Sequence, residues 1–142
     1  DINAGEITQL RNKDANYYVT IAGLNTTAEG GMTSGEFIDV TRTIDAITQR
    51  LREDVFFDLK NSRKIPFTNA GIAVIENRVR SVLNFFVGEG ALADDPAPVV
   101  TVPDALEVSA VDRANRILPN VEFTARLAGA IHTVIINGTV SV

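Results

Sequence analysis

The sequence predicts an α/β (α+β) domain in which two long amphipathic helices lie on one face of a mixed β-sheet. Two apolar stripes of helical period occupy the middle of the chain, and short β-branched segments stand before and after them. A helix with one apolar face needs a sheet or another helix to cover that face. At 142 residues with 45% hydrophobic content, the chain fits one domain over residues 1–142.

The N-terminal part of the chain predicts one strand and one loop. Residues 1–14 are polar and irregular, and residues 15–22 carry the aromatic and β-branched side chains typical of a strand. Residues 23–35 contain four glycines among Thr, Asn and Ser, which predicts a surface loop. Because a strand follows Asp1 so closely and no initiator methionine is present, we expect the chain to be a fragment of a longer protein.

The first long helix is predicted over residues 37–59. Its apolar residues recur at a period near 3.6, and charged residues fill much of the opposite side, as in a helix packed on one face. Thr33 and Glu36 have the spacing of a capping box just ahead of it. The apolar stripe consists of Ile38, Ile44, Ile47, Leu51, Val55 and Leu59.

The second long helix is predicted over residues 69–87. Pro66 ends any continuation of the first helix, because proline lacks the amide donor that a helix interior requires. Thr68 is a suitable N-cap for the second helix, and Gly88 and Gly90 supply its stop. The apolar stripe consists of Ile72, Ile75, Val79, Val82, Leu83 and Phe86.

The chain after the second helix predicts a connector, a short strand and a short helix. Residues 88–98 form an acidic connector that contains two prolines. Val99–Val102 has the composition of a short strand. Ser109 and Asp112 have capping-box spacing, which predicts a short helix to about Ile117.

The sequence closes with a predicted C-terminal pair of strands. Residues 121–127 alternate apolar and polar side chains, the pattern of a half-buried strand. Residues 131–136 are apolar on both faces apart from His132 and Thr133, so this strand needs a partner. We therefore expect the pair to augment the sheet of a neighbouring subunit. The candidate intersubunit strand residues are Ile131, Thr133, Val134, Ile135, Ile136, Val140 and Val142.

Three aromatic residues are further candidates for an interface between subunits. Tyr17 and Tyr18 are adjacent in the predicted first strand, and Phe57 follows Phe56 in the first helix. Adjacent aromatics point to different faces of their element, so a modest domain leaves some of them for burial against a partner. We predict that Tyr17, Tyr18 and Phe57 contact a neighbouring subunit.

Composition argues against several classes of function. The 13 Lys and Arg against 18 Asp and Glu give a net charge of −5, opposite to the basic surface that binds nucleic acid or an anionic membrane. No apolar run reaches the ~20 residues that span a bilayer. Cysteine is absent, which removes thiolate nucleophiles, disulfides and cysteine zinc sites.

No catalytic, cofactor or metal site is predicted. The single His132 has no second histidine or cysteine to complete a dyad or a metal site. The glycine-rich stretch 29–35 lacks the Gly-Lys-Ser/Thr ending of a phosphate-binding loop. Asp54 and Asp58 are one helical turn apart and fit a solvated helix face, and Arg50 is spaced to pair with Asp54.

A set of short stretches, spread in order along most of the chain, matches a pattern found in one known family. The stretches are Ala15–Tyr18, Gly35–Asp39, Arg42–Asp45, Lys64–Thr68, Gly71–Ile72, Asp112–Arg116, Leu118–Pro119 and Leu127–His132. Together they resemble the sheath proteins of contractile tails in myovirus-like phages and prophages, a family formerly described only as a domain of unknown function. The resemblance corresponds to the C-terminal portion of a sheath subunit. Sheath subunits are usually longer, so their outer domains and N-terminal arm are expected to lie outside this chain.

This resemblance implies a structural subunit of the virion without enzymatic activity or cofactor. Sheath subunits stack as hexameric rings into a helical tube around the tail tube and contract during viral genome ejection. The implied partners are copies of the same chain, the tail tube protein and baseplate proteins, with no nucleic acid and no membrane. The implied location is the phage tail, after assembly in the host cytoplasm. In this family extended terminal arms add strands to neighbouring sheets, a role that Ile131–Val142 would take.

Two other functions stay open on the sequence. A small acidic ligand-binding or enzymatic α/β domain would assemble its site from loops 24–35 and 88–98. Another phage tail or baseplate structural protein would share this domain with a sheath, because a fold does not determine a role.

Overall fold

The structure, a computed structural model, describes residues 2–132 and 134–139. These residues form four helices and two small antiparallel sheets, which confirms the predicted α+β class. In chain order the elements are α1 (Ala4–Arg11), β1 (Tyr17–Ile21), β2 (Leu24–Ala28), α2 (Ile38–Asn61), α3 (Asn69–Gly88), β3 (Val99–Thr101), α4 (Ala110–Ala114) and β4 (Glu122–Thr124).

The two long helices, α2 and α3, pack on each other close to their predicted bounds. Thr68 caps α3 as predicted, because its hydroxyl accepts a hydrogen bond from the Gly71 amide at 3.3 Å. The predicted capping box of Thr33 and Glu36 is wrong. The N-cap of α2 is Phe37, whose side chain makes no capping hydrogen bond.

The core lies where α2 and α3 meet the chain that follows them. Ile47 of α2 packs against the stripe of α3, in which Leu83 is completely buried. Leu92 and Val100, which follow α3, belong to the same cluster. Burial of each side chain of this size stabilises the fold by about 1.5–3 kcal/mol. The cluster consists of Ile47, Val79, Val82, Leu83, Phe86, Leu92 and Val100.

The first sheet is a β1–β2 hairpin, which corrects the predicted loop over residues 23–35. The two strands pair antiparallel along their whole length, and Ala22 and Gly23 form the turn between them. These two residues have φ of 50° and 82°. Positive φ at both positions is typical of the type I′ turn, whose twist matches that of the paired strands. The polar residues of β2 resemble loop composition, so its pairing with β1 was not visible in the sequence.

The second sheet pairs β3 with β4 and corrects the predicted sheet topology. β4 lies within the predicted strand 121–127, but its partner is β3 and not residues 131–136. The predicted single mixed sheet is wrong, since the described chain holds two separate two-stranded sheets. The physical reason is the path of the chain, which continues after β4 to the start of α2, where His132 contacts Phe37.

The connector over residues 88–98 is tied to the chain that follows β4. Leu92 forms an isolated bridge with Leu127, and the Ala93 amide donates to the Arg126 carbonyl at 2.8 Å. These backbone contacts hold the connector as a surface crossover on the helix pair.

Two short helices complete the fold. α1 corrects the prediction that the N-terminal segment is irregular, because Asn3 and Glu6 form a reciprocal capping box in which the Glu6 amide donates to Asn3 Oδ1 at 3.0 Å. All residues of α1 are at least partly exposed. α4 begins at its predicted cap, where Ser109 Oγ accepts from the Asp112 amide at 3.0 Å.

Candidate functional site

The terminal segment, defined as residues 131–132 and 134–139, carries most of the described assembly candidates. None of these described residues lies in a strand or bridge. The exposed fractions are 83% for Ile131, 71% for Val134, 81% for Ile135 and 88% for Ile136. Large apolar side chains of a strand-forming sequence are thus left in solvent. The predicted residues Thr133, Val140 and Val142 lie outside the described residues.

The β1–β2 hairpin carries a second set of exposed apolar residues, on both of its faces. Ile21 and Leu24 pair across the hairpin on one face, Tyr18 lies on the other, and each of the three is more than half exposed. The hairpin packs chiefly between its own two strands, whereas α2, α3 and β3 pack on one another. A two-stranded sheet leaves a row of unpaired amide and carbonyl groups on each outer edge and is marginally stable alone. The hairpin therefore has the chemistry to accept a further strand.

Tyr17 is buried inside the chain, which corrects its prediction as an interface aromatic. Its side chain faces inward while Tyr18 faces outward, as alternation along a strand requires. The Tyr17 hydroxyl donates to Glu29 Oε1 at 3.0 Å, and Arg11 Nε donates to the same oxygen at 2.7 Å. The hydrogen bond from Arg11, then that from Tyr17, holds the pKa of Glu29 below its ordinary value.

The outward side of α2 forms a third exposed apolar surface. Phe57, a predicted interface residue, is exposed, and so is Phe56, which the sequence pattern did not single out. The signal was available, because at about 100° per residue Phe56 falls opposite the buried Ile47. The predicted stripe of α2 was too wide, since Ile38, Ile44 and Leu59 are each more than half exposed.

The accessible surface of the chain is large for its mass. It measures 10905 Å² for 15.3 kDa, whereas a compact monomer of this mass exposes about 7,100 Å². The chain therefore leaves more of its surface in solvent than a compact monomer of the same mass does.

Several charged side chains on the helix pair form ion pairs. Arg78 of α3 donates two hydrogen bonds to Asp58 of α2, at 2.6 and 2.7 Å. This pairing holds the pKa of Asp58 below its ordinary value. Arg50 pairs with Asp54 at 3.2 Å as its spacing predicts, and its guanidinium lies over the Phe85 ring. Asp54 and Asp58 are thus each paired with an arginine.

Loops 24–35 and 88–98, which the alternative ligand-binding function requires, do not line a common pocket here. The pocket beside loop 24–35 is lined by residues that precede α2, including Phe37, and by no residue of 88–98. Within the part of the chain that the structure describes, no buried residue is polar or charged, and no three His, Asp or Glu side chains could hold a metal ion. The lining residues are Arg11, Asp14, Glu29, Gly31, Met32, Gly35 and Phe37.

One of the stretches that carry the sheath resemblance has a packing role. The turn at Pro66 lies directly against Gly71 in the first turn of α3. A Cβ atom at Gly71 would stand 1.9 Å from the Pro66 carbonyl oxygen. Glycine at this position therefore lets the turn close onto the helix.

Comparisons of the sequence with known proteins add no family to this description. No protein-family model matches the chain, and no curated protein matches it. None of the described helices is both long and apolar enough to cross a membrane. The candidate site is therefore defined by three exposed apolar surfaces, on the terminal segment, the hairpin and the outward side of α2.

Proposed function

We propose that the chain is a structural, non-enzymatic subunit of a contractile phage tail sheath, which polymerises around a tail tube and contracts during genome ejection. The ordered stretches that resemble the sheath family support this proposal. The observation that carries it is the terminal segment, whose isoleucines are more than four-fifths exposed in a strand-forming sequence. Such a segment gains a partner when it adds to the sheet of another subunit.

The terminal segment of one subunit would pair with the hairpin of the next. Main-chain hydrogen bonds along a free edge supply affinity in this mode of binding, and alternate side chains supply register. Tyr18, Ile21 and Leu24 on the hairpin offer apolar surface to the incoming isoleucines. A head-to-tail contact of this kind generates an open helical array when its rotation does not close.

The outward side of α2 supplies a second kind of contact in this proposal. Phe56 and Phe57 are aromatic residues of the type that anchors interfaces between subunits. Contacts to the tail tube protein, the baseplate and stacked hexameric rings would use this and the remaining exposed area. Contraction would then be a rigid-body rearrangement of linked subunits, which requires no cofactor in the chain.

Electron microscopy of the purified full-length subunit that contains this chain tests the proposal. The intact protein is compared with a variant that ends after Ala130, which removes the terminal segment. We expect tubes or stacked rings from the intact protein and dispersed particles from the truncated one, because the lent strand is lost.

A point substitution separates loss of the strand from loss of solubility or fold. Ile135→Asp places a charge in the terminal segment, and Leu106→Asp places the same charge at a comparably exposed leucine elsewhere. We expect assembly to be lost in the first variant and kept in the second. Intact protein that stays monomeric at high concentration would contradict the proposal, as would assembly that survives both the truncation and Ile135→Asp.

A further inference from the structure

Glu29 is a strained residue at which several elements meet. It follows the last residue of the hairpin and has φ of 81°, a left-handed conformation that is costly for a residue with a side chain. Its Oε1 atom accepts from Arg11 Nε of α1 at 2.7 Å and from the Tyr17 hydroxyl of β1 at 3.0 Å. Such strain persists only where the surroundings hold the residue in place.

The terminal segment contacts the start of α2 through His132. The His132 ring meets the Phe37 ring edge-on, with centroids 4.9 Å apart and an angle of 76° between the planes, a favourable aromatic geometry. Phe37 is the residue that precedes α2, so His132 lies against the start of that helix.

The short link from Glu29 to Phe37 is held by backbone contacts. The Ile38 amide donates to the Gly30 carbonyl at 3.0 Å, and Gly31 bridges to Phe37. Asn16, just before β1, donates from Nδ2 to the Gly31 carbonyl at 2.9 Å. A shift of Phe37 is thus transmitted directly to the residues that set the direction of the hairpin.

We propose that Glu29, Phe37 and His132 form a joint that couples the terminal segment to the hairpin within one subunit. While His132 lies against Phe37, Glu29 stays in its strained conformation and the hairpin keeps its order. When the terminal segment is drawn away, Phe37 loses its ring contact, the link from Gly30 to Phe37 shifts beside Glu29, and the hairpin loosens. In an assembly, a step that rests on the proposed function, a subunit that lends its terminal segment presents an altered hairpin to the next partner.

Amide hydrogen exchange in the dispersed protein tests this coupling. We expect His132→Ala to speed exchange in residues 17–28 by about threefold or more, with the amides of α3 unchanged. His132→Phe keeps an aromatic contact with Phe37, so its effect is expected to be smaller. Ile135→Ala, in the same segment and 81% exposed, is the matched control and should leave the hairpin unchanged.

A second variant tests whether the coupling passes through Glu29. Glu29→Gly removes both the carboxylate and the strain of a positive φ. In that background His132→Ala should have no further effect on hairpin exchange, as a double-mutant cycle requires for two members of one joint. The proposal is overturned when His132→Ala and truncation after Ala130 both leave hairpin exchange within about twofold of the unmodified protein. Because no assembly is needed, this result is independent of whether the protein forms tubes.

Discussion

The helix pair buries large aliphatic side chains, whereas the terminal segment leaves side chains of the same kind exposed. Leu83 of α3 is completely buried, whereas Ile136 of the terminal segment is 88% exposed. In the helix pair each apolar stripe meets another stripe or the β3–β4 sheet. The terminal segment and the hairpin carry equally apolar residues that the chain leaves in solvent. One region thus makes the fold while the other leaves its apolar residues uncovered, and our proposal assigns the uncovered residues to contacts between subunits.

The largest expected effect comes from emptying the centre of the helix pair. Leu83→Ala should lower the free energy of unfolding by about 3 kcal/mol, because it leaves a cavity where no neighbour can relax fully. Leu106→Ala makes the same chemical change at a leucine that is 84% exposed and should cost no more than about 0.5 kcal/mol. Urea unfolding followed by circular dichroism measures both. Equal losses would break the distinction between buried and exposed leucines.

A smaller loss of stability is expected from a substitution at Gly71, where the first turn of α3 packs against the backbone of Pro66. Gly71→Ala should cost about 1–3 kcal/mol, because its Cβ atom would stand 1.9 Å from the Pro66 carbonyl oxygen and the turn must shift. Gly88→Ala, at the other end of α3, meets no atom within 4 Å. It should be neutral or stabilise by up to about 1 kcal/mol, as alanine favours a helix. A neutral Gly71→Ala in thermal unfolding would contradict this packing.

Removing a helix cap should affect stability differently in α3, which is part of the core, and in the exposed helix α1. Thr68→Ala removes the cap of α3 and should lower the global free energy of unfolding by about 1 kcal/mol. Asn3→Ala removes the cap of α1, whose residues are all at least partly exposed, so it should melt α1 locally and leave the global midpoint unchanged. Far-ultraviolet circular dichroism reports the lost helix, and urea titration reports the midpoint. A shifted midpoint for Asn3→Ala would show that α1 is part of the cooperative core.

The smallest effect is the pH dependence of the Asp58–Arg78 pair between the two long helices. Hydrogen bonds from Arg78 lower the folded-state pKa of Asp58, so its stabilisation is present above the unfolded pKa, near 4. It is lost as pH falls through the folded-state pKa. Unfolding free energy should therefore decline below about pH 4, and Asp58→Asn should make that decline shallower. The same decline in both proteins would rule out Asp58 as a contributor.

The two long helices were predictable because each carries its own signal. Period, the Thr68 cap and the break at Pro66 are all local, and the bounds fall within two residues of those expected. Asn3 and Glu6 have capping-box spacing, which is an equally local signal for α1. The hairpin was harder, since β2 is polar and its turn depends on a positive φ at Ala22.

The strand pairing and the candidate site depend on features that lie far apart in the sequence. β3 pairs with β4 across an intervening helix, so local alternation in residues 121–127 could not name its partner. The apolar pattern of the terminal segment was visible, but its exposure was not. Exposure depends on whether another element covers the segment. Tyr17 and Tyr18 show the same dependence, because the first is buried and the second is exposed.

Thiol labelling of residue 135 tests most directly whether neighbouring subunits cover the terminal segment. The native chain contains no cysteine, so Ile135→Cys gives a single reactive site at a position that is 81% exposed. Leu106→Cys is the matched control at an exposed position outside the three apolar surfaces. We expect both to react at similar rates in dispersed protein, and residue 135 alone to slow by about tenfold or more on assembly. Assembled protein in which residue 135 reacts as fast as in the dispersed state would contradict the proposed role of the terminal segment.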